Sequence, residues 1–367
     1  MSSASSIKSK ARELGFEKVG IARVGRAPHA DFLRTWLDRE FHGEMAYMER
    51  APERREDPER VLAGARSVVC VAKNYHTPGL HSQDPRRGRI SRYAWGSDYH
   101  EVLLEKLQEL RRFIEGAGGR AKVCVDTSAV LEKPWAQEAG LGWQGKHSNL
   151  IARDLGSWFF LGEVVTDLDL EPDAPHAKDY CGTCTRCIDL CPTKAIVAPY
   201  VVDSRRCIAY LTIEHRGSIP RELRPLMGNL VFGCDICQDV CPWNKFAKVA
   251  PEREFYARDG NLVPALVELL GMSRDDFNRR FKDSPVRRAK HAGFLRNVAV
   301  ALGNSGDPSA VSALEKALGH EEPLVRAHAA WALGRLGAPD VLRRHRPLER
   351  NEEVLAEIDA ALNDKVI

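Results

Sequence analysis

Apolar and polar positions follow two different periods along this chain, and the change of period marks out its parts. Near the N-terminus the residues from Ile7 to Leu14 read as an amphipathic helix that Gly15 ends, followed by a short apolar stretch, Val19–Val24. Three later runs, Ser67–Ala72, Ala121–Val125 and Trp158–Val165, are apolar almost without interruption and predict buried strands. Between the first two lies a helix over Tyr99–Glu115, capped by Ser97 or Asp98 and closed by Gly116-Ala-Gly-Gly119. Strands alternating with helices predict a mixed α/β domain over residues 1–175.

From residue 251 to 367 the period is helical and partly repeated. Leu302-Gly303 recurs 31 residues later as Leu333-Gly334, and Pro285-Val-Arg287 is echoed by Pro323-Leu-Val-Arg326. Paired short helices with such an echo predict an all-α region of HEAT-like repeats. The chain of 367 residues has room for two or three domains of roughly 100–200 residues each. No apolar run approaches the roughly 20 residues that cross a bilayer, so no membrane contact is expected. Met1–Ile7 lacks the apolar core of a secretion signal, and the expected location is the cytoplasm.

Composition changes this picture at one place. Eight of the ten cysteines fall between Cys181 and Cys241, inside the segment 176–250. In a chain expected to stay in a reducing compartment, such a cluster points to metal rather than disulfides. Cys181-Gly-Thr-Cys184-Thr-Arg-Cys187-Ile-Asp-Leu-Cys191-Pro192 has the spacing of a ferredoxin-type [4Fe–4S] motif. Three of its thiolates wrap one cubane while the fourth turns to a second. Cys234-Asp-Ile-Cys237-Gln-Asp-Val-Cys241-Pro242 repeats the motif with Val231 in place of its first cysteine, a vacancy that Cys207 can fill. Exchanging the last cysteines gives one cluster on Cys181, Cys184, Cys187 and Cys241. The other falls on Cys191, Cys207, Cys234 and Cys237. A pair of structural zinc sites is the competing reading, although zinc needs neither the third cysteine of the triplet nor the Cys-Pro exit. Cys70 and Cys124, each in an apolar strand, read as core.

Three segments before residue 150 carry more polar and glycine residues than a core needs: Arg92–His100, Val125–Ser128 and Gly140–Asn149. From Arg274 to Arg296 there are also eight Lys or Arg (Arg274, Arg279, Arg280, Lys282, Arg287, Arg288, Lys290, Arg296) against three acids, the footprint of a phosphate-binding surface. Val125-Asp126-Thr-Ser-Ala-Val-Leu-Glu-Lys133, Gly142-Trp-Gln-Gly-Lys-His-Ser148, Thr212-Ile-Glu-His-Arg-Gly217 and Phe232-Gly-Cys-Asp-Ile-Cys237, together with the double cysteine motif, resemble the epoxyqueuosine reductase family. The resemblance runs into the HEAT-like tail and covers nearly the whole chain.

What the resemblance implies is a cobalamin-dependent oxidoreductase that converts epoxyqueuosine to queuosine at the wobble position of tRNA. Residues 1–175 would bind the corrinoid, 176–250 would hold a ferredoxin-like pair of [4Fe–4S] clusters, and 251–367 would meet the tRNA. The family's proton donor falls on Asp126, whose pKa apolar burial against the corrin would have to raise. Tyr99, Lys146, His147, Ser148 and Asp235 are candidate corrinoid contacts. Glu214, His215, Arg287, Arg288 and Lys290 are candidate tRNA contacts, and Tyr93, Trp95 or Trp143 could stack on an unstacked base. Asp98-Tyr-His100-Glu-Val-Leu103 has leucine where a cobalt-ligating Asp-x-His-x-x-Gly motif has glycine, so the cobalamin is expected base-off without a histidine ligand. The expected partners are an external low-potential donor such as flavodoxin or ferredoxin and the tRNA, with the chain a monomer. Two competitors remain at this stage: a reductive dehalogenase-like corrinoid enzyme for a small molecule, and a ferredoxin-type carrier.

Overall fold

The Val-rich run becomes the strand Ser67–Asn74, buried along its whole length. In the computed structural model, which describes residues 4–363, it is an inner strand of a four-stranded antiparallel sheet. The sheet order is Lys18–Arg23, Ser67–Asn74, Phe159–Thr166, Ala121–Cys124, with Val69 opposite Val164 and Val123 opposite that same Val164 from the far side. The apolar run is continuous because helices cover both faces. Val68, Cys70 and Ala72 pack with Trp135 and Ala136 of the helix Glu132–Glu138. On the sheet's other face the helix Tyr99–Gly116 lies so close that a Cβ at Gly162 would stand 2.7 Å from Leu107. Asp98 caps that helix, accepting from the His100 amide at 3.0 Å. Cys70 and Cys124 are both core, and burial pushes their thiols up, that of Cys124 to about 12.

The described chain forms two compact units. One comprises residues up to Pro78, Ser97–Asp203 and Ile236–Tyr256, and contains the sheet. The other comprises Gly79–Gly96, Ser204–Asp235 and the residues from Ala257 onward. Residues 176–250 are thereby shared, with 204–235 in the second unit and the remainder in the first. The extremities of the expected first and third segments, 1–3 and 364–367, lie outside the described residues.

The second unit is built on the helices Lys290–Ser305, Val311–Ala317, Pro323–Arg335, Pro339–His345 and Glu352–Asn363. The repeated Leu-Gly marks where they cross. A Cβ at Gly303 would lie 2.8 Å from Ala332 Cα, and one at Gly334 would lie 2.8 Å from Ala361 Cβ. Each glycine admits the helix two further along the chain, Pro323–Arg335 at Gly303 and Glu352–Asn363 at Gly334, which is why the pair recurs in the sequence. Arg296 sits inside this unit, 1 % exposed, and its guanidinium donates to the carbonyls of Leu211 (2.6 Å), His215 (3.0 Å) and Gly217 (2.7 Å). Asn297 adds bonds to the Thr212 and Val231 carbonyls, both at 2.9 Å. These two side chains tie the helix Ile208–Ile213 and the strand Leu230–Phe232 to the repeat helices.

Replacing Arg296 with Leu leaves several buried carbonyls without donors, each costing about 1–3 kcal/mol. The variant is expected to lose on the order of 3 kcal/mol of stability in urea unfolding. A loss within experimental error of zero would show that Arg296 does not pin the unit.

Candidate iron–sulfur centre and catalytic loop

Cys181 and Cys184 stand on a turn, Cys187 in the short helix Arg186–Asp189, and Cys241 at the N-cap of the turn Pro242–Phe246. All four line one cavity of about 330 Å³ in the first unit, with Tyr180, Trp243 and Phe246 as its aromatic walls. Burial pushes the Cys187 thiol up to about 11, and the neighbouring Cys181, Cys241 and Cys184 add to the rise. Burial also raises Cys181 and Cys241, against backbone N–H groups of Lys146 and Trp243 that favour the thiolates. Four cysteines lining one cavity, with burial opposing ionisation of Cys181, Cys187 and Cys241, fit an iron–sulfur cubane, whose iron supplies the positive charge that thiolates need. Of the other expected set, Cys191 and Cys237 belong to the first unit and Cys207 and Cys234 to the second.

Lys146 braces this cavity, its ammonium donating to the Gly182 (2.6 Å) and Cys184 (3.0 Å) carbonyls. His147 lines the cavity too, and burial with the charge of Lys133 pushes its imidazole down to about 4. Ser148 donates to the Tyr200 carbonyl at 3.1 Å. Tyr99 stacks on Phe160, with centroids 4.3 Å apart and planes within 7°. Asp235, in the second unit, is buried and accepts from the Arg92 amide at 2.7 Å and from the Ser91 hydroxyl.

Asp126 lies just past the strand Ala121–Cys124, with φ at +43°, a conformation costly for any residue with a Cβ. Two contacts hold it. Its amide donates to Glu132 Oε1 at 2.5 Å, and its carboxylate meets His100 Nε2 at 3.1 Å. His100 Nδ1 is bound at 2.8 Å by Asp98, giving an Asp98–His100–Asp126 string. Burial opposes charge on the ring, but hydrogen bonds to Asp126 and Asp98 outweigh it and raise His100 to about 9. Glu132 is raised by burial first and by the charge of Asp126 second. The chain itself leaves 49 % of the Asp126 side chain exposed, and the His100 imidazole is its ion-pair partner. The periodicity of the sequence could not show Glu132 or His100 beside Asp126, because the three stand on separate elements.

The basic run is smaller than its composition suggests. Arg296 is interior, Arg274 pairs with Glu321 and Glu322, Arg279 with Asp276, and Arg288 with Glu214 at 2.5 Å. Arg287 and Lys290 stay exposed. His215 is occupied at Nε2 by the Ser218 carbonyl at 3.0 Å. Trp95 and Trp143 are buried and cannot stack on a base from solution, whereas Tyr93 is half-buried.

Removing one cavity thiol, as in Cys184→Ala, is expected to lower the iron content of anaerobically prepared protein from about eight to about four per chain. Unchanged iron would refute the assignment. The His100 charge stabilises the fold in full below its unfolded pKa of 6.5 and loses that contribution as pH rises through about 9. The urea midpoint of the native chain is therefore expected to exceed that of His100→Gln most below pH 6.5, with the gap closing by pH 9 to 10; a pH-independent gap would contradict the string.

A 4Fe-4S double cluster binding domain matches residues 180–244, HEAT repeats match 286–362, and the family described as epoxyqueuosine reductase QueG, DUF1730 matches 55–127. The epoxyqueuosine reductase of Xanthomonas campestris is 44% identical over 344 residues, covering 91% of this chain and 96% of its own. That of Escherichia coli is 43% identical over 337 residues, covering 90% and 88%. A crystal structure of an epoxyqueuosine reductase with an epoxyqueuosine-modified tRNA-Tyr stem loop superposes with a TM-score of 0.90 at 32% identity, covering 98% of this chain and 97% of that one. The Bacillus subtilis enzyme, seen with its catalytic aspartate loop swung out of the active site, gives 0.88 at 30% identity, covering 98% and 97%. The four-thiol cavity, the HEAT-like helices and these full-length likenesses together place the chain in the epoxyqueuosine reductase family of oxidoreductases.

Proposed function

We propose that this protein reduces the epoxide of epoxyqueuosine at the wobble position of tRNA to give queuosine. In this reading it uses cobalamin and single electrons passed through two [4Fe–4S] clusters, the second on Cys191, Cys207, Cys234 and Cys237. The observation that carries the reading is the half-exposed Asp126 held against a histidine that keeps its proton to about pH 9. Removing the epoxide oxygen takes an electron pair and protons, and the oxygen leaves as water.

Cobalamin, when bound, would supply a low-potential metal centre able to act on a strained epoxide carbon. The residues fit it in two respects. Tyr99 and Phe160 form a flat stacked pair, and Tyr99 also stacks on His100 at 4.2 Å, so an aromatic surface adjoins the Asp126 string. Both nitrogens of His100 are engaged by carboxylates, which agrees with a base-off corrinoid that draws no imidazole from this loop.

The chain's own part is to deliver protons and to hold the substrate. Asp126 Oδ2 receives a proton from His100 Nε2 and passes it to the oxygen released by ring opening. Asp98 holds the imidazole in orientation at Nδ1, and Glu132 keeps the Asp126 backbone in its left-handed bend. Arg287 and Lys290 offer exposed charge to tRNA phosphates, and the tRNA-bound relative supports that partner. An external ferredoxin or flavodoxin would donate the electrons to a cytoplasmic monomer.

The direct test is anaerobic incubation with epoxyqueuosine-containing tRNA, cobalamin and a strong reductant, followed by nucleoside analysis. Queuosine is the expected product, and its absence with both clusters loaded would refute the reading. Asp126→Asn is expected to keep its iron and bind tRNA while turnover falls about 10²-fold or more. Normal turnover would remove Asp126 from the acid role. Arg287→Glu with Lys290→Glu is expected to weaken tRNA binding and to lower the slope of log affinity against log salt by about 2. An unchanged slope would move the phosphate contacts elsewhere.

A further inference from the structure

The motif Gly142-Trp-Gln-Gly-Lys-His-Ser148 puts two buried ring N–H groups beside the four-thiol cavity, and the proposed reaction uses neither. We infer that His147 and Trp143 set the reduction potential of the cluster on Cys181, Cys184, Cys187 and Cys241 by donating hydrogen bonds from their rings to its sulfurs. The inference rests on the assignment of that cluster to those cysteines.

For His147 the tautomer follows from geometry. Its Nδ1 accepts from the Asn149 amide at 3.2 Å, and an imidazole that accepts at Nδ1 carries its proton on Nε2. The residue is 5 % exposed, and Nε2 is buried without a hydrogen-bond partner among the described residues. A buried donor left unpaired is costly, and native structures keep few of them. His147 lines the cavity, where the thiols supply sulfur acceptors.

Trp143 has the same anomaly. It is 1 % exposed, its Nε1 is buried without a hydrogen-bond partner among the described residues, and two rings that wall the cavity, Tyr180 and Trp243, pack on it. The ring cannot turn away. Trp243 meets it edge-on at 5.0 Å, Tyr180 at 5.1 Å, and His176 stacks on it at 5.5 Å. Two buried ring donors without a partner among the described residues therefore stand at the four-thiol cavity, His147 in its lining and Trp143 against its aromatic walls. Hydrogen bonds to cluster sulfurs withdraw negative charge and favour the reduced state, one of the means by which proteins tune such potentials. The motif thus serves the electron path through this cluster, with Trp143 and His147 as positioning residues that never meet the substrate.

The test is an anaerobic redox titration of the full chain followed by low-temperature electron paramagnetic resonance. In His147→Leu the ratio of reduced to oxidised cluster at a fixed ambient potential is expected to fall about tenfold, equivalent to about 59 mV for one electron. Trp143→Phe shifts it in the same direction. His147→Gln, whose amide can both accept and donate, is expected to recover most of the ratio. In native protein grown with ¹⁵N-histidine, electron–nuclear double resonance is expected to show a ¹⁵N coupling and a proton lost in D₂O. An unchanged ratio in His147→Leu at full iron content would overturn the inference. If that variant sheds iron, the label experiment on native protein decides, and absence of the coupling overturns it. Full iron retention in Cys184→Ala would instead place the error in the ligand assignment.

Discussion

Much of the first unit depends on one electrostatic constraint, the gathering of four cysteines around one cavity. Burial makes ionisation of Cys187 harder, and the neighbouring Cys181, Cys241 and Cys184 add to its rise to about 11. Burial also raises Cys181 and Cys241, so thiolates there need a cation, and assembly of the cluster is linked to ordering of the loops. The surrounding chain is shaped to that end. Lys146 reaches across to two carbonyls of the cysteine turn, the Trp243 indole donates to the Tyr180 carbonyl at 3.2 Å, and backbone amides soften the charge on Cys181 and Cys241.

The Asp126 loop obeys a related rule with the opposite sign. Here acids are gathered around Asp126, and protonation keeps the set stable. Glu163, buried in the middle of the sheet with no hydrogen-bond partner among the described residues, is raised well above the usual carboxylate range by burial, and Glu132 follows it. His100 is the compensating cation. Its bonds to two carboxylates give the loop a proton reservoir at the edge of the sheet, and the left-handed backbone at Asp126 turns that carboxylate outward from the core. Strain at this residue is offset by the Glu132 contact to its amide.

In the second unit, charge that looked superficial is partly structural. Arg296 lies in the same basic stretch as Arg287 and Lys290, yet it is the interior pin between the repeat helices and the helix that follows Cys207. A surface of exposed cations survives because Glu214 neutralises Arg288 but leaves Arg287 and Lys290 facing solvent.

By itself the sequence determined everything that depends on local spacing. The apolar runs, the cap at Asp98, the ligand triplet and the Leu-Gly echo were legible because strand periodicity, capping and cubane geometry act over a few residues. Tertiary structure decided which distant groups meet. Sequence position could not show that His100 and Glu132 hold Asp126, that Trp143 is buried against the cavity's aromatic walls rather than a stacking surface, or that Arg296 turns inward. Those outcomes depend on burial and on partners tens of residues away, and hydrogen-bonding and desolvation energies reward the final packing, not the order in which residues appear along the chain.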